Sequence, residues 1–117
     1  MQNYQGSCHC GAIQFEFKAP AISSGLRCNC SICKRKGAIM SDFVLAPDEL
    51  QIKINQDALA TYTFDSGIAQ HHFCKYCGIY PFHQTVRKPG HYRVNLGCID
   101  NLDSLALAFT VFDGASL

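Results

Sequence analysis

An all-β domain is the fold class this sequence predicts, on three observations. Ile13, Phe15 and Phe17 alternate with Gln14 and Glu16, the period-two signature of a strand with one buried face. Similar runs recur along the chain, separated by the turn signals Ala19-Pro20, Ser24-Gly25, Pro47-Asp48, Asp65-Ser66-Gly67 and Pro89-Gly90. Finally, hydrophobic residues make up 48% of the chain and charged residues only 16%, so it has a core to bury and is not disordered. At 117 residues it has the length of one domain, expected to span 1–117.

The elements follow in order. After the Ile13–Phe17 strand come strand-like runs at Ile39–Leu45, Leu50–Ile54, Leu59–Phe64 and Ile68–Phe73, then Tyr92–Leu96 and Leu105–Phe112. The Asp65-Ser66-Gly67 turn joins two of them as a hairpin. Single helical turns are expected only in the Asp57–Ala60 and Asn101–Leu107 regions.

The formal net charge of +1 supplies no strong field for a nucleic-acid or membrane-surface partner. No run approaches the roughly 18 apolar residues of a membrane span. The start, MQNYQGSCHC, lacks the basic and apolar segments of a secretory signal. The expected location is therefore cytoplasmic, where clustered cysteines hold metals or do chemistry instead of forming disulfides.

Eight cysteines are the abnormal feature of the composition. Seven fall into three groups: Cys8-x-Cys10, Cys28-x-Cys30-x-x-Cys33 and Cys74-x-x-Cys77. In an extended segment, residues i and i+2 face the same side, so each C-x-C presents two thiols together. A C-x-x-C turn converges two sulfurs on one ion, and the glycines that follow Cys10 and Cys77 relieve the tight turn. Such thiolate sets suit Zn²⁺ in tetrahedral geometry, ahead of an iron–sulfur cluster or a redox pair. Thioredoxin-like chemistry fits poorly, because Cys74-Lys75-Tyr76-Cys77 runs into Ile79-Tyr80-Pro81 and not into a helix. Seven ligands divide naturally into a closed four and an open three. Spacing alone leaves that partition open, and two purely structural zinc ions fit it equally well.

The segments CNCSICKRKGA, HHFCKYCG and CHCGAIQFEF, with the tail VNLGCIDNLDSL and its following FDG, resemble the glutathione-dependent formaldehyde-activating enzyme family, which includes centromere protein V. The resemblance runs from Ser7 to about Gly114. It implies a β-tent fold of short antiparallel sheets, shared with methionine sulfoxide reductase B. It implies two Zn²⁺ per chain: a structural one on Cys8, Cys10, Cys74 and Cys77, and a catalytic one on Cys28, Cys30 and Cys33. It further implies carbon–sulfur lyase activity on the adduct of a thiol such as glutathione with formaldehyde or a related aldehyde. A thiol at an open zinc position is held as thiolate, which adds to an aldehyde carbonyl; the reverse is the lyase direction. The alternative from another class is a non-catalytic two-zinc module that binds proteins or handles zinc. The sequence leaves the natural thiol, the aldehyde and the oligomeric state open.

This sequence departs from the family pattern after the triplet, where Lys34-Arg35-Lys36 replaces an expected aromatic residue. The three cations form either a solvated loop face or an attractor for a substrate carboxylate. Cys98, the eighth cysteine, is a candidate catalytic thiol facing the open zinc, as fourth ligand or nucleophile, or else a buried core residue. His71 and His72 occupy adjacent strand positions and point to opposite faces, so one of them could support a zinc thiolate. His9 lies between two ligands and is expected to point away, whereas His83 and His91 carry no signal. Asp42, Phe43 and Phe82 either line a pocket or, for the two phenylalanines, belong to the core.

Overall fold

Ten short strands and one short helix make up most of the chain in a computed structural model that describes residues 1–117. They are β1 (Gln2–Ser7), β2 (Ile13–Ala19), β3 (Ser24–Cys28), α1 (Ser31–Lys36), β4 (Met40–Ser41), β5 (Gln51–Ile54), β6 (Leu59–Tyr62), β7 (Gln70–Cys74), β8 (Phe82–Gln84), β9 (Tyr92–Val94) and β10 (Ala108–Phe112). Single 3-10 turns lie at Pro47–Glu49, Leu96–Cys98, Ser104–Ala106 and Gly114–Ser116. The all-β expectation holds.

Three sheets face one another: β1-β2-β5, β10-β3-β4 and β6-β7-β8-β9. β2 carries the alternation read from the sequence. Ile13, Phe15, Phe17 and Ala19 are buried, while Gln14, Glu16 and Lys18 face solvent. Its inner face meets the third sheet where Phe15 packs edge-on to Phe82, their centroids 6.0 Å apart. Phe82, Val94 and Leu96 complete this core and are essentially inaccessible.

Several expectations change. β1 and β3, as QNYQGS and SGLRC, lack apolar alternation and form by pairing, β1 with β2 in register from Gln2↔Ala19 to Ser7↔Gln14. β10 runs parallel to β3, the one pairing among the named strands that is not antiparallel. Asp57–Ala60 is not a helical turn. Gln56 and Asp57 both take φ of 54°, and the Ala58 N–H closes onto the Asn55 carbonyl, a mirror-image turn feeding β6. The helix instead occupies Ser31–Lys36, ending at Gly37 in the left-handed conformation with its N–H on the Cys33 carbonyl. β6 and β7 form the expected hairpin, with Asp65 and Gly67 at positive φ. The Asn101–Leu107 region supplies its single turn at Ser104–Ala106. No helix is long and apolar enough to cross a membrane.

Candidate metal centres and the adjoining cleft

Two thiol sets converge from the three sequence groups. Cys8 and Cys10 lie on the turn after β1, and Cys74 and Cys77 bracket the turn after β7; all four Sγ atoms lie within 4.8 Å of one another. Cys8-x-Cys10 is not extended, as the sequence suggested. The Gly11 N–H closes onto the Cys8 carbonyl at 3.2 Å, just as Gly78 closes onto Cys74 at 2.7 Å. Both glycines sit near φ of +80° (81° and 79°), which their lack of Cβ permits. The first turn closes over three residues and the second over four, and the two bring their sulfurs together.

The donor set fits zinc. Four sulfurs about 2.3 Å from one ion in a tetrahedron stand roughly 3.8 Å apart. Cys8 and Cys10 Sγ are 3.7 Å apart, and Cys10 and Cys74 Sγ 3.6 Å. The Ile13 N–H donates to Cys8 Sγ at 3.3 Å. For Cys77, burial alone raises the thiol, but the N–H groups of Ile79 and Cys10 outweigh it and bring it to about 6.

Cys28, Cys30 and Cys33 form the second set, their Sγ atoms also within 4.8 Å. Cys28 ends β3, Cys30 caps α1, and Cys33 lies one helical turn on. The Cys30 N–H donates to Cys28 Sγ at 3.4 Å. Burial works against ionisation of Cys30, but the N–H groups of Cys33 and Ile32 and the neighbouring thiols hold it below its ordinary value. Burial pushes the Cys33 thiol up to about 12, against the pull of the Lys36 ammonium. Three sulfurs match three corners of the tetrahedron that a four-cysteine set completes.

The triplet opens on a cleft of about 530 Å³, whereas two of the four sulfurs in the other set are buried. Helical spacing puts Lys36 three residues beyond Cys33, on the same face of α1. Its Nζ lies 4.1 Å from the centroid of the Tyr80 ring and 3.2 Å from His83 Nδ1. An ammonium only donates, so Nδ1 accepts and the His83 proton sits on Nε2. Burial and then Lys36 hold His83 well below the usual histidine value.

Register builds the facing wall. His71 on β7 pairs with His83 on β8, and His83 with Arg93 on β9, so the three form one row across the third sheet. The adjacent row, His72, Phe82 and Val94, turns into the core. His71 Nδ1 is 2.7 Å from Tyr80 Oη. Burial, then the charge of Lys36, lowers His71 to about 4. Tyr80 is pushed up by burial and the thiolates of Cys33 and Cys30, so its phenol stays protonated. Arg93 donates from Nη1 to the Ser41 carbonyl at 2.9 Å, and Arg87 lies over the Phe112 ring at 3.6 Å. The one ion pair in the structure is the exposed Lys75–Asp57, so Lys36, Arg87 and Arg93 line the cleft without carboxylate partners.

The sequence candidates therefore separate. The Lys34-Arg35-Lys36 cluster divides: Arg35 points away from the cleft, Lys34 lies exposed at its edge and Lys36 is turned inward onto Tyr80 and His83. Cys98 does not face the triplet. It sits toward Cys8 and Cys77, where burial and then those thiolates push it up to about 12, and it is absent from the cleft lining. Phe82 is core, Phe43 packs on Phe17 with centroids 5.9 Å apart, and Asp42 accepts from Ser24 Oγ at 2.7 Å; none lines this cleft. His72 bonds Thr61 at 2.8 Å, His9 is exposed, and His91 stays by its own loop. His83, Arg87 and Arg93 escaped sequence reasoning because each stands alone in the chain, without a motif. The β8 and β9 register that aligns His83 with Arg93 is a tertiary fact.

Comparison with known proteins agrees with this architecture. Residues 3–114 match the family described as glutathione-dependent formaldehyde-activating enzyme. A crystal structure of a Rhodobacter sphaeroides protein superposes with a TM-score of 0.80 at 32% sequence identity, covering 91% of this chain and 99% of that one. With its two cysteine sets joined by one small all-β frame, the chain belongs to the glutathione-dependent formaldehyde-activating enzyme family.

Proposed function

We propose that this protein is a carbon–sulfur lyase that forms or cleaves the S-hydroxymethyl adduct of an anionic, glutathione-like thiol with formaldehyde or a related aldehyde. The observation that carries the reading is the contrast between the two cysteine sets. One is a four-sulfur set with two members buried, and the other has three sulfurs at a cleft walled by Lys36, Arg87 and Arg93. Cys28, Cys30 and Cys33 would hold a Zn²⁺, which would supply the Lewis acidity that keeps a substrate thiol as its thiolate.

The chain's own residues supply the rest. Lys36 beside Cys33 offsets the negative charge gathered by three thiolates. Arg87 and Arg93 offer guanidinium groups to substrate carboxylates, for which arginine's planar fork is suited. His71 and His83 stay neutral and the Tyr80 phenol keeps its proton, so these three add no charge beside the cations of the wall. In the lyase direction the adduct hydroxyl gives up its proton to water and the C=O bond forms. The C–S bond breaks with its electron pair returning to sulfur.

The test is metal quantification combined with turnover of S-hydroxymethylglutathione by the wild type and by Cys30→Ser. Two zinc ions per wild-type chain and lost turnover in the variant are expected. Retained turnover in Cys30→Ser overturns the assignment.

A further inference from the structure

We propose that the C-terminal turn, Asp113–Ser116, is a positioning element for the Cys28–Cys30–Cys33 set, fastened by Asn29 and admitted only because residue 114 is glycine. This rests on reading the triplet as a metal site.

The parallel pairing of β10 with β3 sets up the contact. Phe112 stands opposite Cys28 in the register, so both strands deliver their following residues to the same end of the sheet. Asn29, the residue between two of the thiols, meets the tail with its backbone N–H and both ends of its side-chain amide. Its N–H donates to the Phe112 carbonyl at 3.2 Å, and its Nδ2 to Asp113 Oδ1 at 3.0 Å. Its Oδ1 accepts from the Ala115 N–H at 2.9 Å. The other Asp113 oxygen accepts from Ser116 Oγ at 2.6 Å, closing the turn on itself. The Ser116 hydroxyl and Asn29 amide hold the Asp113 carboxyl below its ordinary range, so the fastening is ionised at neutral pH.

Gly114 shows how closely this turn approaches the sulfurs. A Cβ added there would stand 2.5 Å from Cys28 Sγ and 3.2 Å from Cys30 Cβ. Its φ is outside the left-handed region, so the demand is for space and not for backbone freedom. A methyl group there forces either Cys28 Sγ or the turn to move, so relief of the clash disturbs the fit between the turn and the triplet. The turn thus closes one flank of the thiol set and forms part of the cleft lining through Gly114 and Ala115.

The experiment titrates the full chain with Co²⁺ and then competes it with Zn²⁺ and a chromophoric chelator, for the wild type, Gly114→Ala and Asn29→Ala. The wild type takes up two equivalents. In both variants one equivalent weakens at least tenfold, and the cobalt bands of a three-sulfur site diminish while those of the four-sulfur site persist. Unchanged affinity for both equivalents in the variants overturns the positioning role, and so does equal weakening of both sites. A wild type that binds a single equivalent overturns the underlying reading of the triplet instead, so the two failures are distinct.

Discussion

Replacing Cys10 with serine opens the four-sulfur set at its one exposed member, so the change leaves no core cavity. On the reading that this set holds an ion and releases it with the fourth sulfur, the change removes the cross-link between Cys10 and Cys74, 64 residues apart in the chain. Treated as loop closure, a link of that span restricts the unfolded chain by about 4 kcal/mol. The triplet closes a loop of only about five residues, for which the same relation yields about 2 kcal/mol. A chain of 117 residues unfolds with an entropy of about 250 cal/mol/K. The expected fall in Tm is then about 16 °C for Cys10→Ser and about 8 °C for Cys30→Ser. Thermal unfolding followed by circular dichroism, both variants at one zinc concentration, measures the difference. Equal falls, or a Cys10→Ser protein within 4 °C of the wild type, would refute the view that the first set staples β1 to the β7–β8 turn (the 4 °C threshold is about 1 kcal/mol).

Three further outcomes are expected. Lys36→Met should lower kcat/KM for S-hydroxymethylglutathione about tenfold or more with two metal ions still bound; unchanged kinetics would remove Lys36 from the site. His71 should remain neutral down to about pH 4 in an NMR titration. The unfolded chain takes that proton at the ordinary value of about 6.5, so His71 makes the fold less stable as pH falls from about 6.5 towards 4. A midpoint near 6.5 would show the ring to be solvated. Phe82→Ala should cost about 3–5 kcal/mol in urea unfolding, because its ring is buried among Phe15, His72 and Tyr92; a loss below 1 kcal/mol would contradict its place in the core.

Much of the metal chemistry was legible in one dimension because it is local. A C-x-x-C turn with its trailing glycine brings two sulfurs together whatever surrounds it, and β2 declares its buried face by alternation alone. The elements that went unread are those without an interior signal. β1 is polar and exists through its pairing with β2, and α1 is a six-residue helix with no buried residue. Lys34, Arg35 and Lys36 look alike as sequence. Only the turn of α1 carries the third one onto Tyr80 and His83.

Composition, alternation and cysteine spacing by themselves determined an all-β chain carrying thiol pairs and a triplet, since backbone geometry over a few residues sets all three. The tertiary structure decided which pairs meet and what faces the triplet. His71, His83 and Arg93 lie apart in the chain and become one wall through strand register. Asn29 finds Asp113 and Ala115, 84 and 86 residues away, because β10 lies parallel to β3. Cys98 lies toward Cys8 and Cys77 for the same reason: its neighbours are set by how the sheets pack, and no local pattern encodes that.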